Sequence, residues 1–244
     1  MTELYDQAHA FAAELTGTVQ AVVGPSCAPF VAVEIEAADA FTVRQQPADG
    51  IILSGDEGPL LRLSVEYKCT LDGDDRYLAV EESAIHVFVE PDGREPLFRY
   101  EYMRAVSPKL PAAHIQFHGR HPELERAMQD CGGSTPRARR RKNGKKPILL
   151  SALHFPVGGT RFRPALEDVL EMLIEEFGVR PEGSVGQARA AIAAGRERWR
   201  RMQVSTVVRD APSAAARTLE ELGYSVTPPE EGPKPDKINQ LRMF

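Results

Sequence analysis

Cysteine and long apolar runs are scarce in this 244-residue chain, and each scarcity removes a class of protein. The three cysteines, Cys27, Cys69 and Cys131, stand at wide, irregular spacing. An odd number so placed fits neither a disulfide framework nor a cysteine-rich zinc site, and a reducing cytoplasm is the expected compartment. No run approaches the roughly 18 apolar residues that a membrane span needs, so no membrane partner is expected. The first residues, Met1-Thr2-Glu3-Leu4-Tyr5-Asp6, have no basic region leading into an apolar stretch, so no secretory leader is expected. There is no internal repeat. HExxH, CxxC, GxSxG, P-loop and dinucleotide-fingerprint spacings are missing as well, and neither a metal nor a cofactor is expected.

What remains is an ordinary apolar share, 42%, enough for one large core or a core with a helical appendage. The net charge of −5 argues against a generally basic, nucleic-acid-coating molecule, so any basic surface must be local. Residues 2–15 carry Leu4, Ala8, Phe11 and Leu15 at helical spacing, with Gly17 as the expected stop. From Phe30 the period changes to two. Strands are expected at Phe30–Glu36, Thr42–Gln45, Gly50–Ser54 and Leu61–Cys69, then from Tyr77 to Val89 with a bulge near Glu81-Glu82-Ser83, and at Leu97–Met103. Turn signals such as Leu71-Asp72-Gly73-Asp74-Asp75 and Pro91-Asp92-Gly93 join them without intervening helices. That order predicts an α+β fold: a curved antiparallel meander of about six or seven strands, covered by helices.

The expected division is a sheet domain over 1–180, a helical region over 181–227 and a tail over 228–244. The covering helix should run from Pro164 to Phe177. Leu166, Val169, Leu170, Leu173, Ile174 and Phe177 make one stripe, and Gly178 stands at the C′ position. Its acids, Glu167, Asp168, Glu171, Glu175 and Glu176, are expected in solvent. A second helix is expected at about Ser184–Arg209, with arginines crowding Trp199, and a third at Ala211–Leu222 with Asp210 as N-cap. Tyr224-Ser225-Val226 reads as a short strand.

The stretch from Tyr100 to Phe177 holds four of the six histidines and carries the candidate chemistry. Alternate strand residues share a face. Arg99 and Glu101 therefore share one on their strand, His114, Gln116 and His118 on the next, and Ala152 and His154 on a strand over Leu149–Phe155. If these strands are neighbours, His114, His118, His154, Arg99 and Glu101 line one concave face. His114 and His118 would stand about 13 Å apart in a regular strand, too far to share one metal. Imidazoles beside a carboxylate and an arginine instead suit metal-free phosphoryl transfer, in which one ring takes a proton, another gives one, and a guanidinium steadies the charged oxygens. The same residues also suit a plain solvated sheet face.

Between these strands lies an insertion, 120–147, whose core is the strongest electrostatic feature of the chain. Seven of the eleven residues from Pro136 to Lys146 are basic: Arg137, Arg139, Arg140, Arg141, Lys142, Lys145 and Lys146. Read as a loop, it can gather nucleic acid through phosphate contacts, dock an acidic partner, or simply be solvated. No aromatic residue interleaves it, so base stacking is not expected there. Gly158-Gly159 ahead of the Pro164 helix reads as a tight turn rather than a phosphate cradle.

The succession Leu97-Phe98-Arg99-Tyr100-Glu101-Tyr102, Leu110-Pro111, His114 through His118 and a helix led by Leu166 resembles the TumE-like toxin proteins of toxin–antitoxin modules over roughly residues 60–177. It departs from them in Gln116 between the two strand histidines, in the basic insertion and in the helical C-terminal region. The whole chain also looks like uncharacterised bacterial proteins. The resemblance implies a small antiparallel sheet and a toxin-like or defence-type protein acting on RNA. The expected function is thus a metal-independent ribonuclease with RNA as partner. The alternative is a non-catalytic module that binds nucleic acid, or binds protein through the C-terminal helices and tail. The sequence leaves oligomerisation open.

Overall fold

The computed structural model describes residues 2–35, 38–73, 76–91, 93–105, 110–130, 139–140, 143, 148–157 and 161–242. Eight strands form one open antiparallel sheet: β1 (Phe30–Ile35), β2 (Ala40–Gln45), β3 (Ile51–Gly55), β4 (Gly58–Leu71), β5 (Leu78–Val89), β6 (Phe98–Met103), β7 (Ala113–Phe117) and β8 (Phe155–Pro156). Their order is β1-β2-β4-β5-β6-β7-β8, with β3 on β4. β4 is long enough to serve two neighbours on one edge. Its Glu66–Cys69 part pairs with β2, and its Gly58–Leu63 part pairs with β3. The expected α+β meander is therefore present, one strand larger than its upper expectation.

The clean alternation in β4 decides which face is buried. Leu61, Leu63, Val65, Tyr67 and Cys69 enter the core, while Arg62, Ser64, Glu66 and Lys68 point the other way. Ile85, Val87 and Phe98 continue the apolar face on β5 and β6. Two helices cover it: α1 (Thr2–Val23) through Leu15, Val19 and Val22, and α3 (Leu166–Phe177) through Leu166, Val169, Leu170 and Leu173. The long α4 (Val185–Asp210) adds Ala188 and Ile192 to the same cluster. Shorter helices complete the described chain: α2 (Pro122–Asp130), α5 (Pro212–Glu221) and α6 (Ile238–Leu241). The bulge in β5 falls where expected: opposite the Lys68–Cys69 step the register passes over Glu81.

Several local expectations are overturned. α1 runs through Gly17, because Val19 and Val22 extend its buried stripe, and that burial outweighs the roughly 1 kcal/mol a helical glycine costs. The stop is Gly24, close against the Glu182 carboxylate and at φ 84°, a left-handed backbone conformation that glycine adopts without strain. Residues 122–130 of the insertion are helical, with Glu125 and Met128 buried, so that part is not loop. Leu149–Phe155 is not a strand: Leu150–Ala152 form a 3-10 turn, and only Phe155 and Pro156 pair with β7. α3 starts at Leu166 with Ala165 as N-cap, and the Asp168 carboxylate accepts the Ala165 N–H at 2.9 Å. Its acids are not all solvated. Glu167 is buried against Gly195, and Arg196 bridges Asp168 and Glu171. Asp210 ends α4 instead of capping α5, and Tyr224–Val226 form no strand.

Leu63 has no exposed surface, whereas Leu222 is 70% exposed. Truncating Leu63 to Ala should cost about 2–5 kcal/mol in urea unfolding, and Leu222→Ala should stay within about 0.5 kcal/mol of the parent.

Candidate active site

The face of β5–β7 away from the helices is polar, and its side chains converge on Glu101. Register does this. His86 stands opposite Arg99, Arg99 opposite Gln116, and Glu101 opposite His114. The Glu101 carboxylate faces His86 Nε2 through Oε1 and His114 Nε2 through Oε2, each at 3.2 Å. Arg99 Nη1 lies 3.4 Å from the same Oε1. His114 is 1% exposed, and its Nδ1 faces the Pro111 carbonyl at 3.2 Å. Both of its ring nitrogens thus meet oxygen acceptors. The two imidazole hydrogen bonds, His114's foremost, hold the Glu101 carboxyl well below the usual carboxylate range, with the Arg99 charge acting in the same sense against burial.

Gln116 and His154 close the cluster from behind. Arg99 Nη2 donates to Gln116 Oε1, while Gln116 Nε2 donates to the Ser151 carbonyl at 2.9 Å and to His154 Nε2 at 3.0 Å. His154 therefore accepts at Nε2 and carries its proton on Nδ1. Its ring meets His114 edge-on, centroids 4.6 Å apart. Burial pushes the His154 imidazole down to about 4, and the charges of His114 and Arg140 push in the same direction. Arg99 Nε and His154 Nδ1 are buried with no hydrogen-bond partner among the described residues.

Access separates the members. His86, Arg99 and Glu101 keep 26%, 27% and 25% of their side-chain surface in solvent. His86 Nδ1 has no partner among the described residues. A carboxylate that holds one imidazole nitrogen leaves the other to take or give a proton at neutral pH, and an arginine beside it can carry a phosphate oxygen. Among the described residues no group of three or more histidine, cysteine, aspartate or glutamate side chains is placed to hold a metal ion.

Four of the five candidate catalytic residues, Arg99, Glu101, His114 and His154, meet in this cluster. His118 does not join it. It lies just past the end of β7, where its Nδ1 pairs with Glu95 at 2.9 Å and its backbone N–H donates to Leu97. His154 arrives on the segment after the 3-10 turn, not on a strand. His86 was missed. A lone histidine on a strand's polar side has no sequence signal of its own, and only the observed β5–β6 register sets it opposite Arg99. Of the basic run, Arg139 and Arg140 are described and exposed, and Arg140 is near enough to His154 to act on its charge. Arg137, Arg141, Lys142, Lys145 and Lys146 lie outside the described residues, as do Cys131 and Gly158-Gly159.

No protein-family model, curated protein or solved structure matches the chain, so function is read from the site itself.

His154 is held neutral by the fold, so its contribution to stability is complete above about 6.5 and is lost as pH falls from there to about 4. Stability measured by thermal unfolding should decline less over that window in His154→Phe than in the parent. An unchanged slope would contradict the burial of a neutral imidazole here.

Proposed function

We propose that the chain is a toxin-like or defence-type protein that cleaves RNA without a metal. The observation that carries this reading is the sharing of one carboxylate, Glu101, by His86 and His114, which leaves an exposed imidazole nitrogen beside Arg99. His86 Nδ1 takes the proton of a ribose 2′-hydroxyl as its oxygen bonds to the neighbouring phosphorus. The bond from phosphorus to the 5′-oxygen breaks, and the imidazolium returns the proton to that leaving oxygen. The products are a 2′,3′-cyclic phosphate and a free 5′-hydroxyl. Glu101 holds the His86 ring and balances its charge during the step. Arg99 carries the extra charge on the phosphorus-bound oxygens. His114, His154 and Gln116 fix Glu101 and Arg99 from behind. An internal nucleophile suits a site with no expected metal, which favours RNA over DNA as substrate. The basic run, with Arg139 and Arg140 at its described end, supplies phosphate contacts and a steep salt dependence.

A second reading rests on the C-terminal helices. Val204, Val208, Leu222 and Tyr224 are exposed, as a protein-binding module would present them.

With labelled RNA and DNA in excess chelator, the parent protein should cut RNA only. His86→Gln and Glu101→Gln should lose about 10²–10⁴-fold in rate while keeping the parent circular dichroism, and His118→Ala should keep activity. Absence of RNA cleavage, or cleavage abolished by the chelator, would refute the proposal.

A further inference from the structure

A cleft of about 580 Å³ opens on the helical side of the sheet, away from Glu101, between α4, α1, the β4–β5 hairpin and the C-terminal segment. The opposite orientation follows from β6, where Tyr102 lines the cleft and its neighbour Glu101 points the other way. The volume lies within the range of small-molecule sites. Its walls are of two kinds. Phe11, Leu78, Val80, Trp199 and Met202 give an apolar floor and side. Five cationic side chains also line it, Arg104, Arg161, Arg163, Arg209 and Lys237, against three carboxylates, Glu14, Asp72 and Asp210.

The carboxylates are already engaged. Asp210 is 2% exposed and holds Arg161 at 2.6 Å and Lys237 at 3.8 Å. Asp72 accepts the backbone N–H groups of Arg76 and Tyr77. Glu14 faces Arg198 at 3.7 Å. Two guanidinium groups lie against rings. Arg163 is over Tyr102 at 3.6 Å and over Trp199 at 4.8 Å, and Arg209 is over Tyr77 at 4.9 Å. Arg209 also reaches the Thr206 hydroxyl at 3.5 Å, and no carboxylate among the described residues comes within ion-pair distance of it. Burial lowers Arg163 only to about 10, so it stays charged at neutral pH.

The C-terminal segment forms part of the wall by design of its hydrogen bonds. Ser213 donates from its N–H and its hydroxyl to the Asp236 carboxylate at 3.0 and 2.6 Å, and the Lys237 N–H donates to the Asp210 carbonyl at 2.7 Å. These bonds hold Lys237 and Gln240 over the cleft.

We propose that this cleft binds a small amphipathic organic anion, its apolar body against Phe11, Leu78 and Trp199 and its carboxylate or phosphate head on Arg209 and its cationic neighbours. An uncompensated cation over a ring is a ready partner for an anionic oxygen, and the apolar wall selects against a bare inorganic ion. The site is independent of the proposed RNA cleavage, and neither stands or falls with the other.

Trp199 is the only tryptophan and lines the cleft, so its fluorescence reads binding directly. The full-length protein is titrated with decanoate, octyl phosphate, inorganic phosphate and 1-octanol, with calorimetry alongside. Saturable binding of decanoate or octyl phosphate is expected, and the better of the two identifies the head group. Arg209→Gln should weaken it at least about tenfold with unchanged circular dichroism, and Arg209→Lys should restore part of the loss. No saturable binding of either anion, equal binding by Arg209→Gln, equal binding of 1-octanol, or inorganic phosphate binding as tightly as octyl phosphate would each overturn the proposal.

Discussion

Val87 stands opposite Phe98, and the polar site depends on that pairing. With both of these residues in the core, the next pair, His86 and Arg99, must lie on the other face, and Glu101 follows two residues on. A slip of one residue would carry Arg99 and Glu101 into the core and Tyr100 out of it, at the cost of burying charge and exposing apolar surface. The apolar face under α1 and α3 therefore holds the polar cluster on the opposite face in place, although the two share no side chain.

Within the polar cluster the electrostatics settle on one arrangement. Two donating imidazoles and a guanidinium converge on Glu101, so its charge is the one most strongly favoured. His154, deeper behind Gln116 and beside the charge of His114, is held neutral instead. Glu101 thus carries its charge and His154 does not, because the two differ in burial and neighbours. A cleft of about 580 Å³ lies on the other side of the sheet, where aromatic rings support guanidinium groups. One sheet thus separates a site of converging histidines from a cleft lined by arginines.

Much of the fold was legible in the sequence because burial writes itself as period. The alternation of Leu61 to Cys69 and the stripe of Leu166 to Leu173 both survive into the core unchanged. What failed needed three dimensions. Gly17 reads as a stop, yet Val19 and Val22 carry the buried stripe past it, and packing against the sheet decides the matter. Leu149–Phe155 looked like a strand by composition, but only two of its neighbouring positions find backbone partners on β7, and Ser151 turns to offer its carbonyl to Gln116. His118 has the right parity for the polar face, yet Glu95 holds it at the strand's end. Glu167 is buried because Gly195 on another helix has no side chain to exclude it, a fact no local pattern contains. Arg99, Glu101, His114 and His154 were readable as a set; the place of His86 required the hairpin register.

The most direct measurement is the chemistry of the product. Incubating the protein with a short RNA in excess chelator and following phosphorus NMR should show a 2′,3′-cyclic phosphate resonance growing with the free 5′-hydroxyl fragment. Blocking the attacking oxygen with a single 2′-O-methyl group should suppress cleavage at that linkage. A 5′-phosphate product, or cleavage that proceeds past the methylated position, would contradict an internal attack assisted by His86 and Glu101.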